Sequence, residues 1–168
     1  MKKSVATLLF FMAMLFAWQA PAATRSWKKE TKAILKEYQY ACRNSQVMID
    51  EIVKDGYISG HVVGLPQDAF EKFKVIFYVK TNRWYVHPFY QPENPTEGSA
   101  YAQIKPNGRF RIKTVKRNVD ASRLAVSVVP APYVINDQKL WLKPFLGLFG
   151  GVMKYSCRGV VVPLNGEI

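Results

Sequence analysis

The chain has 168 residues, 24 Lys and Arg against 12 Asp and Glu for a net charge of +12, and two cysteines. Its length sets one domain rather than several, able to bury roughly two thirds of the surface its unfolded chain exposes. The excess of cations directs attention to anionic partners, and two cysteines without a Cys-x-x-Cys spacing exclude a dithiol redox motif.

Lys2 and Lys3 precede a nearly continuous apolar run from Val5 to Trp18, followed by Ala20-Pro21-Ala22. A basic start, a short apolar stretch and small residues at Ala20 and Ala22 form a secretory signal peptide, with cleavage expected after Ala22. The run is shorter than the roughly 20 apolar residues a membrane-spanning helix needs. No cysteine stands near the cut, so a lipid anchor is not expected. The expected product is a soluble, basic bacterial protein, periplasmic or secreted. Removing 22 of 168 residues leaves 146, and losing Lys2 and Lys3 lowers the charge from +12 to +10. In an oxidising compartment Cys42 and Cys157 are expected to form a disulfide that staples the first structured segment to the last strand.

The mature chain divides into an N-terminal helix within residues 23–45 and a β-domain over 46–168. Trp27, Thr31, Ile34, Leu35, Tyr38 and Cys42 recur at helical spacing on one face, and Lys28, Lys29, Lys32 and Lys36 fall largely on the other. Ser26 is the predicted N-cap. Val47–Val53 and Tyr57–Val63 flank Lys54-Asp55-Gly56, a hairpin signature. Lys74–Lys80, dense in β-branched and aromatic residues, predicts a central strand buried on both faces. A short strand from Trp84 to His87 ends at Pro88, and a Pro-rich loop runs from Gln91 to Ser99. Tyr101–Ile104 and Phe110–Val115 flank Pro106-Asn107-Gly108, read as a second hairpin. Leu124–Val129 is a further strand, and Val160-Val161-Val162 predicts a buried one near the end. About eight short strands after one helix predict an antiparallel, Ig-like β-sandwich, with a small barrel as the second architecture.

Catalytic motifs are missing: there is no Ser-His-Asp spacing, no His-Glu-x-x-His and no phosphate-cradling Gly loop. His61 and His87 have no identified third ligand, so neither a metal nor a cofactor is expected. Glu93 and Glu97 in the Pro-rich loop are the only carboxylates suggesting a glycan hydrolase, the third-ranked function, and nothing fixes their separation. Aromatics are more informative. Trp84, Tyr85 and Tyr90, interleaved with Arg83 and His87, are the expected ligand-binding residues, because flat rings beside hydrogen-bonding groups suit a carbohydrate platform. Alternation places Trp84 and Val86 on one face and Tyr85 and His87 on the other.

The order Gly64-Leu65-Pro66, Lys74-Val75-Ile76-Phe77-Tyr78-Val79-Lys80, Trp84-Tyr85-Val86-His87-Pro88 and Pro106-Asn107-Gly108-Arg109-Phe110 resembles a small exported bacterial β-sandwich domain. Its core is Trp-Tyr-x-His-Pro, and that domain is associated with proteins handling extracellular polysaccharides. The resemblance spans Ile58 to Tyr133, about half of the mature chain. It implies a non-catalytic carbohydrate-binding module and carries no catalytic residues with it.

Cations cluster at Lys113, Lys116, Arg117 and Arg123 and along the helix, which suits an acidic polysaccharide or another polyanionic envelope component. Nucleic acid is not an expected partner, since no binding motif is present. The apolar stretch Leu140–Val152 predicts a buried crossover; the second function reading makes it a protein- or membrane-contacting loop, with Trp141, Phe145 and Phe149 as contacts.

Overall fold

Helical patterning near the start of the chain does form a helix, but a longer one than its expected cap allows. The computed structural model describes residues 20–88, 101–115, 120–135, 141–142, 155–165 and 168, with the backbone alone for 20–26 and 141–142. Helix α1 spans Ala20–Glu37 and so runs through Ser26, which is interior rather than a cap. Alanines are the best helix formers, and Pro21 sits in the first turn, where its missing N–H costs nothing. The helix also spans the expected cleavage point, and the residues before Ala20, read from the sequence as a signal peptide, lie outside the described residues. A break at Tyr38 leads into α2 (Gln39–Asn44), and the Ser45 hydroxyl closes the end by donating to the Cys42 carbonyl at 2.9 Å. The two faces divide as the spacing predicts: Thr31 and Cys42 are buried, while Lys28, Lys29, Lys32 and Lys36 are exposed.

Strands β1 (Gln46–Ile52) and β2 (Tyr57–Val63) form the first hairpin, with Asp55 at φ 54° and Gly56 completing the turn. A 3-10 turn (Gln67–Lys72) leads into β3 (Phe73–Lys80), followed by β4 (Trp84–Val86) and β5 (Tyr101–Gln103). Next come β6 (Arg109–Lys113), β7 (Arg123–Pro130), β8 (Trp141–Leu142) and β9 (Gly159–Pro163). They assort into two antiparallel sheets: three strands in the order β1-β2-β6, and six in the order β8-β4-β3-β7-β9 with β5 also on β3. The protein is a mainly β, antiparallel sandwich preceded by helix and closed by one disulfide.

Two details differ from the sequence reading. The turn at Asn107-Gly108 forms, with Gly108 at φ 78°, but its arms do not pair with each other. β5 joins β3 and β6 joins β2, so the turn carries the chain from one sheet to the other. Local turn chemistry sets a reversal; which neighbour each arm pairs with is set by the cores it must cover. The second difference is β9, an edge strand on β7 rather than a buried one: Val160 and Val162 turn inward, while Val161 is exposed. Three consecutive valines on a strand cannot all face one core.

Between the sheets lies the larger core, built from Phe73, Val75, Phe77 and Val79 of β3 against Ile58, Val62, Phe110 and Ile112 of the smaller sheet. The Phe77 and Phe110 rings meet at 5.8 Å across it. The opposite face of the six-stranded sheet carries a second core of Ile76, Tyr78, Trp84, Val86, Ala125 and Val129. Trp27 covers part of it, its ring 5.5 Å from both Tyr133 and Tyr155.

Cys42 and Cys157 are bonded, with Cα atoms 4.8 Å apart, and tie α2 to the segment entering β9 across a sequence separation of 115. Closing a loop of that length stabilises the fold by about 5 kcal/mol in the chain-entropy model. Replacing both cysteines with serine is expected to lower the unfolding free energy by about 3–5 kcal/mol. Urea denaturation of the oxidised protein and the double variant measures that difference directly.

Candidate functional site

A carbohydrate platform needs exposed rings, and the Trp84–His87 segment does not offer them. Trp84 is only 6% exposed, packed into the second core with Val86, and His87 is fully buried. The alternation read from the sequence holds, but both faces of the sheet are covered here. His87 extends the β3–β4 ladder, its backbone N–H donating to the Phe77 carbonyl at 3.1 Å, and pairs its Nε2 with the Thr114 hydroxyl, beyond the end of β6. Its imidazole therefore braces the two sheets, and Pro88 follows through a cis bond. Arg83 is exposed in the β3–β4 turn, and Tyr85 is half-buried, its hydroxyl 3.3 Å from the Asn82 side-chain oxygen to which it donates. Tyr90, Glu93 and Glu97 lie outside the described residues, as do Phe145 and Phe149. The Trp141 backbone pairs with Tyr85, making the start of the apolar stretch a sheet edge. Lys113 ends β6 and Arg123 begins β7 in the other sheet, while Lys116 and Arg117 lie outside the described residues.

The groups that do converge on solvent sit on the outer face of the three-stranded sheet. β6 reads Arg109-Phe110-Arg111-Ile112-Lys113, and strict alternation buries Phe110 and Ile112 while exposing the three cations. They form a straight row with roughly 7 Å between successive Cα positions. Register places His61 beside Arg109, Ser59 beside Arg111 and Tyr57 beside Lys113. On the other side of β2, a register shift between Ile49 and Glu51 lets two successive residues, Asp50 and Glu51, both face water.

These side chains hold one another in place. The Tyr57 hydroxyl donates to Glu51 Oε2 at 2.6 Å, and Arg111 lies flat over the Tyr57 ring with Cζ 3.4 Å from its centroid. Asp50 Oδ1 sits 2.8 Å from His61 Nδ1. The hydrogen bond to Glu51 raises the Tyr57 phenol above its ordinary pKa, so it stays a neutral donor. Between these groups runs a groove of about 230 Å³, walled by Asp50 and Glu51 on one side and by Lys105, Arg109 and Arg111 on the other. Arg109, Lys105 and Lys113 have no salt bridge among the described residues. Carboxylates that accept from hydroxyls, guanidinium groups that bind anions in a bidentate fork, and a fixed ring are thus gathered on one flat surface.

Compared with known proteins, the chain matches no protein-family model and no curated protein.

Arg111 is marked in the sequence by the period-two pattern of β6, with every second residue a cation, whereas Tyr57 joins the site only through the β2–β6 register and carries no sequence signal of its own. Among the described residues, no group of three His, Cys, Asp or Glu could hold a metal ion.

The second core contains one unusual cation. Lys74 shares a face of β3 with Ile76 and Tyr78, and its Nζ lies 3.8 Å from the centre of the Tyr101 ring. Burial pushes its ammonium down to about 8, a desolvation cost that outweighs the attraction of the ring. Burial also moves the neighbouring Tyr133 up to about 12 and raises Tyr78 well above the ordinary phenol range, so both stay neutral while Lys74 titrates.

Two outcomes follow from this packing. Trp84→Ala is expected to cost about 3–5 kcal/mol by leaving a cavity in the second core, seen as a lowered thermal midpoint in circular dichroism. Lys74 has a folded pKa near 8 against 10.5 when unfolded, so between those values the unfolded chain binds more protons. Stability should therefore rise with pH across that window, the penalty being fully present below it. Lys74→Met is expected to be more stable than wild type at neutral pH and to lose that part of the rise, as read from urea midpoints measured at a series of pH values.

Proposed function

We propose that this protein is an exported, non-catalytic binding module for an acidic polysaccharide of the envelope or extracellular space, and that the glycan lies along the outer face of the three-stranded sheet. The observation that carries this reading is the straight row of Arg109, Arg111 and Lys113 beside a groove that also holds Asp50, Glu51 and Tyr57. A linear polyanion suits a linear array of cations. A uronate or sulfate group is met by a bidentate guanidinium, and the sugar hydroxyls are met by the two carboxylates. A protein partner that anchors through an apolar residue finds less here, because the described groove is lined mainly by charged and polar side chains, with Met48 and Val63 exposed elsewhere on the same sheet. The signal peptide read from the sequence and the disulfide both agree with an oxidising, extracytoplasmic site of action.

The reading also assigns Trp84 and His87 a supporting part. They hold β4 and the end of β6 in place rather than touching sugar, so the ligand contacts move from the Trp-Tyr-x-His-Pro segment to the strand beyond it.

Isothermal titration with a polyuronate, a sulfated glycan and a neutral glucan tests the proposal. Hydrogen bonds to charged groups contribute about 1.5–3 kcal/mol each, so Arg109→Gln combined with Arg111→Gln should weaken acidic-glycan binding at least tenfold. Both side chains are exposed, so circular dichroism should show the fold intact. Equal affinity for neutral and acidic glycans, or an unchanged affinity in the double variant, overturns the reading.

A further inference from the structure

A second basic surface stands apart from the sheet face, and its chemistry is different. Around α1 the charges are segregated. Lys29, Lys32 and Lys36 are spaced by three and four residues and share one exposed face, which Arg43 extends onto α2. The two carboxylates Glu30 and Glu37 fall on another flank, roughly 100° around the helix. Glu37 is drawn further away by Lys72, whose Nζ lies 2.8 Å from it. The cationic face is left without a carboxylate of its own.

That face opens into a cleft of about 600 Å³ between the helices and the segment entering β9. Lys36, Gln39 and Arg43 line one wall and Arg158 the other, while Leu35 and the Cys42–Cys157 disulfide supply apolar surface. Among the described residues that line it, none is acidic. On α2, one turn from Lys36 and beside Arg43, Tyr40 stands 84% exposed, the most exposed large hydrophobic side chain described.

We propose that this surface docks on anionic phospholipid at an envelope membrane, with a headgroup phosphate in the cleft between Lys36, Arg43 and Arg158 and Tyr40 at the headgroup level. Three features separate it from a glycan site. Its described lining offers no carboxylate to accept sugar hydroxyls, its cleft is partly apolar, and its aromatic ring projects outward, as interfacial tyrosines do. Four exposed cations along a helical face, with a fifth across the cleft, complement a negatively charged bilayer surface. The inference does not depend on the glycan reading, since no residue is common to the two surfaces.

Oxidised protein recovered from the periplasm of an expression host is sedimented with phosphatidylcholine vesicles and with vesicles enriched in phosphatidylglycerol. Each cation near an anionic surface strengthens binding about fivefold, so neutralising Lys36, Arg43 and Arg158 together to glutamine should weaken binding to the anionic vesicles roughly a hundredfold. Tyr40→Ser should weaken it as well, without any change in charge. The Arg109→Gln, Arg111→Gln variant should bind these vesicles as wild type does, which separates the two surfaces. Failure to prefer the anionic vesicles overturns the proposal, as does an equal loss in both sets of variants, which would mean net charge alone. Full displacement by millimolar inorganic phosphate also overturns it, by making the cleft a site for soluble phosphate.

Discussion

The whole arrangement hangs on β3 being buried on both faces. Its odd positions, Phe73, Val75, Phe77 and Val79, and its even positions Ile76 and Tyr78 are all at most 2% exposed, so two separate covers must be found for one strand. The smaller sheet covers one face. The other is closed by residues from distant parts of the chain: Trp27 from the helix, Tyr133 from beyond β7 and Tyr155 from before β9. Fully burying a large apolar side chain is worth about 1.5–3 kcal/mol, so a run like this repays the ordering of every segment that covers it. The disulfide has its place in the same logic, because it joins the end of the helix to the segment that carries Tyr155 toward β9.

Much of this was legible in the sequence, and what was legible was local. The density of apolar residues in 74–80 marks β3 as central, Asp55-Gly56 marks the first hairpin, and the spacing of Trp27, Ile34, Leu35 and Tyr38 marks the buried side of the helix. Each rests on neighbours within a few residues. The partners of β5 and β6 were not legible, because a Gly108 turn reports only that the chain reverses. The fate of Trp84 was not legible for a related reason. Alternation says that Trp84 and Val86 share a face, but whether that face meets water depends on Trp27 and Tyr133, which lie roughly fifty residues to either side. A cluster of aromatics beside a histidine looks the same whether it is a binding platform or a second core.

The candidate site inverts that difficulty. Nothing about Arg109-Phe110-Arg111-Ile112-Lys113 stands out by composition, yet its alternation already puts two apolar residues in and three cations out. What the sequence lacks is the neighbour that gives the row its meaning. Only the β2–β6 register sets Tyr57, Ser59 and His61 alongside it, and only the bulge in β1 brings Asp50 and Glu51 to the same surface. A binding face on a sheet is a product of register, and register is fixed here by the buried half of the same strands, Ile58, Val62, Phe110 and Ile112. Core and site are therefore two sides of one alternation, and a one-residue slip that would bury a cation would also expose a phenylalanine.

The protein's net positive charge is distributed along the same lines. Cations on the core strands are few, and Lys74, the one drawn against an aromatic core, is held there with a lowered pKa. Two groups of the described cations stand on surfaces that need no burial: Arg109, Arg111 and Lys113 on the outer face of the smaller sheet, and Lys29, Lys32 and Lys36 on the outer side of the helix. Each surface keeps a different companion. On the sheet the cations stand beside carboxylates and a hydrogen-bonded phenol, the mixture of charge and hydrogen-bonding groups on which the proposed glycan site rests. Around the helix the carboxylates have turned aside and an exposed tyrosine remains, the combination on which the proposed membrane contact rests. The net charge alone would predict one indiscriminate attraction to polyanions; its partition by strand period and helix period is what makes two separable surfaces of it.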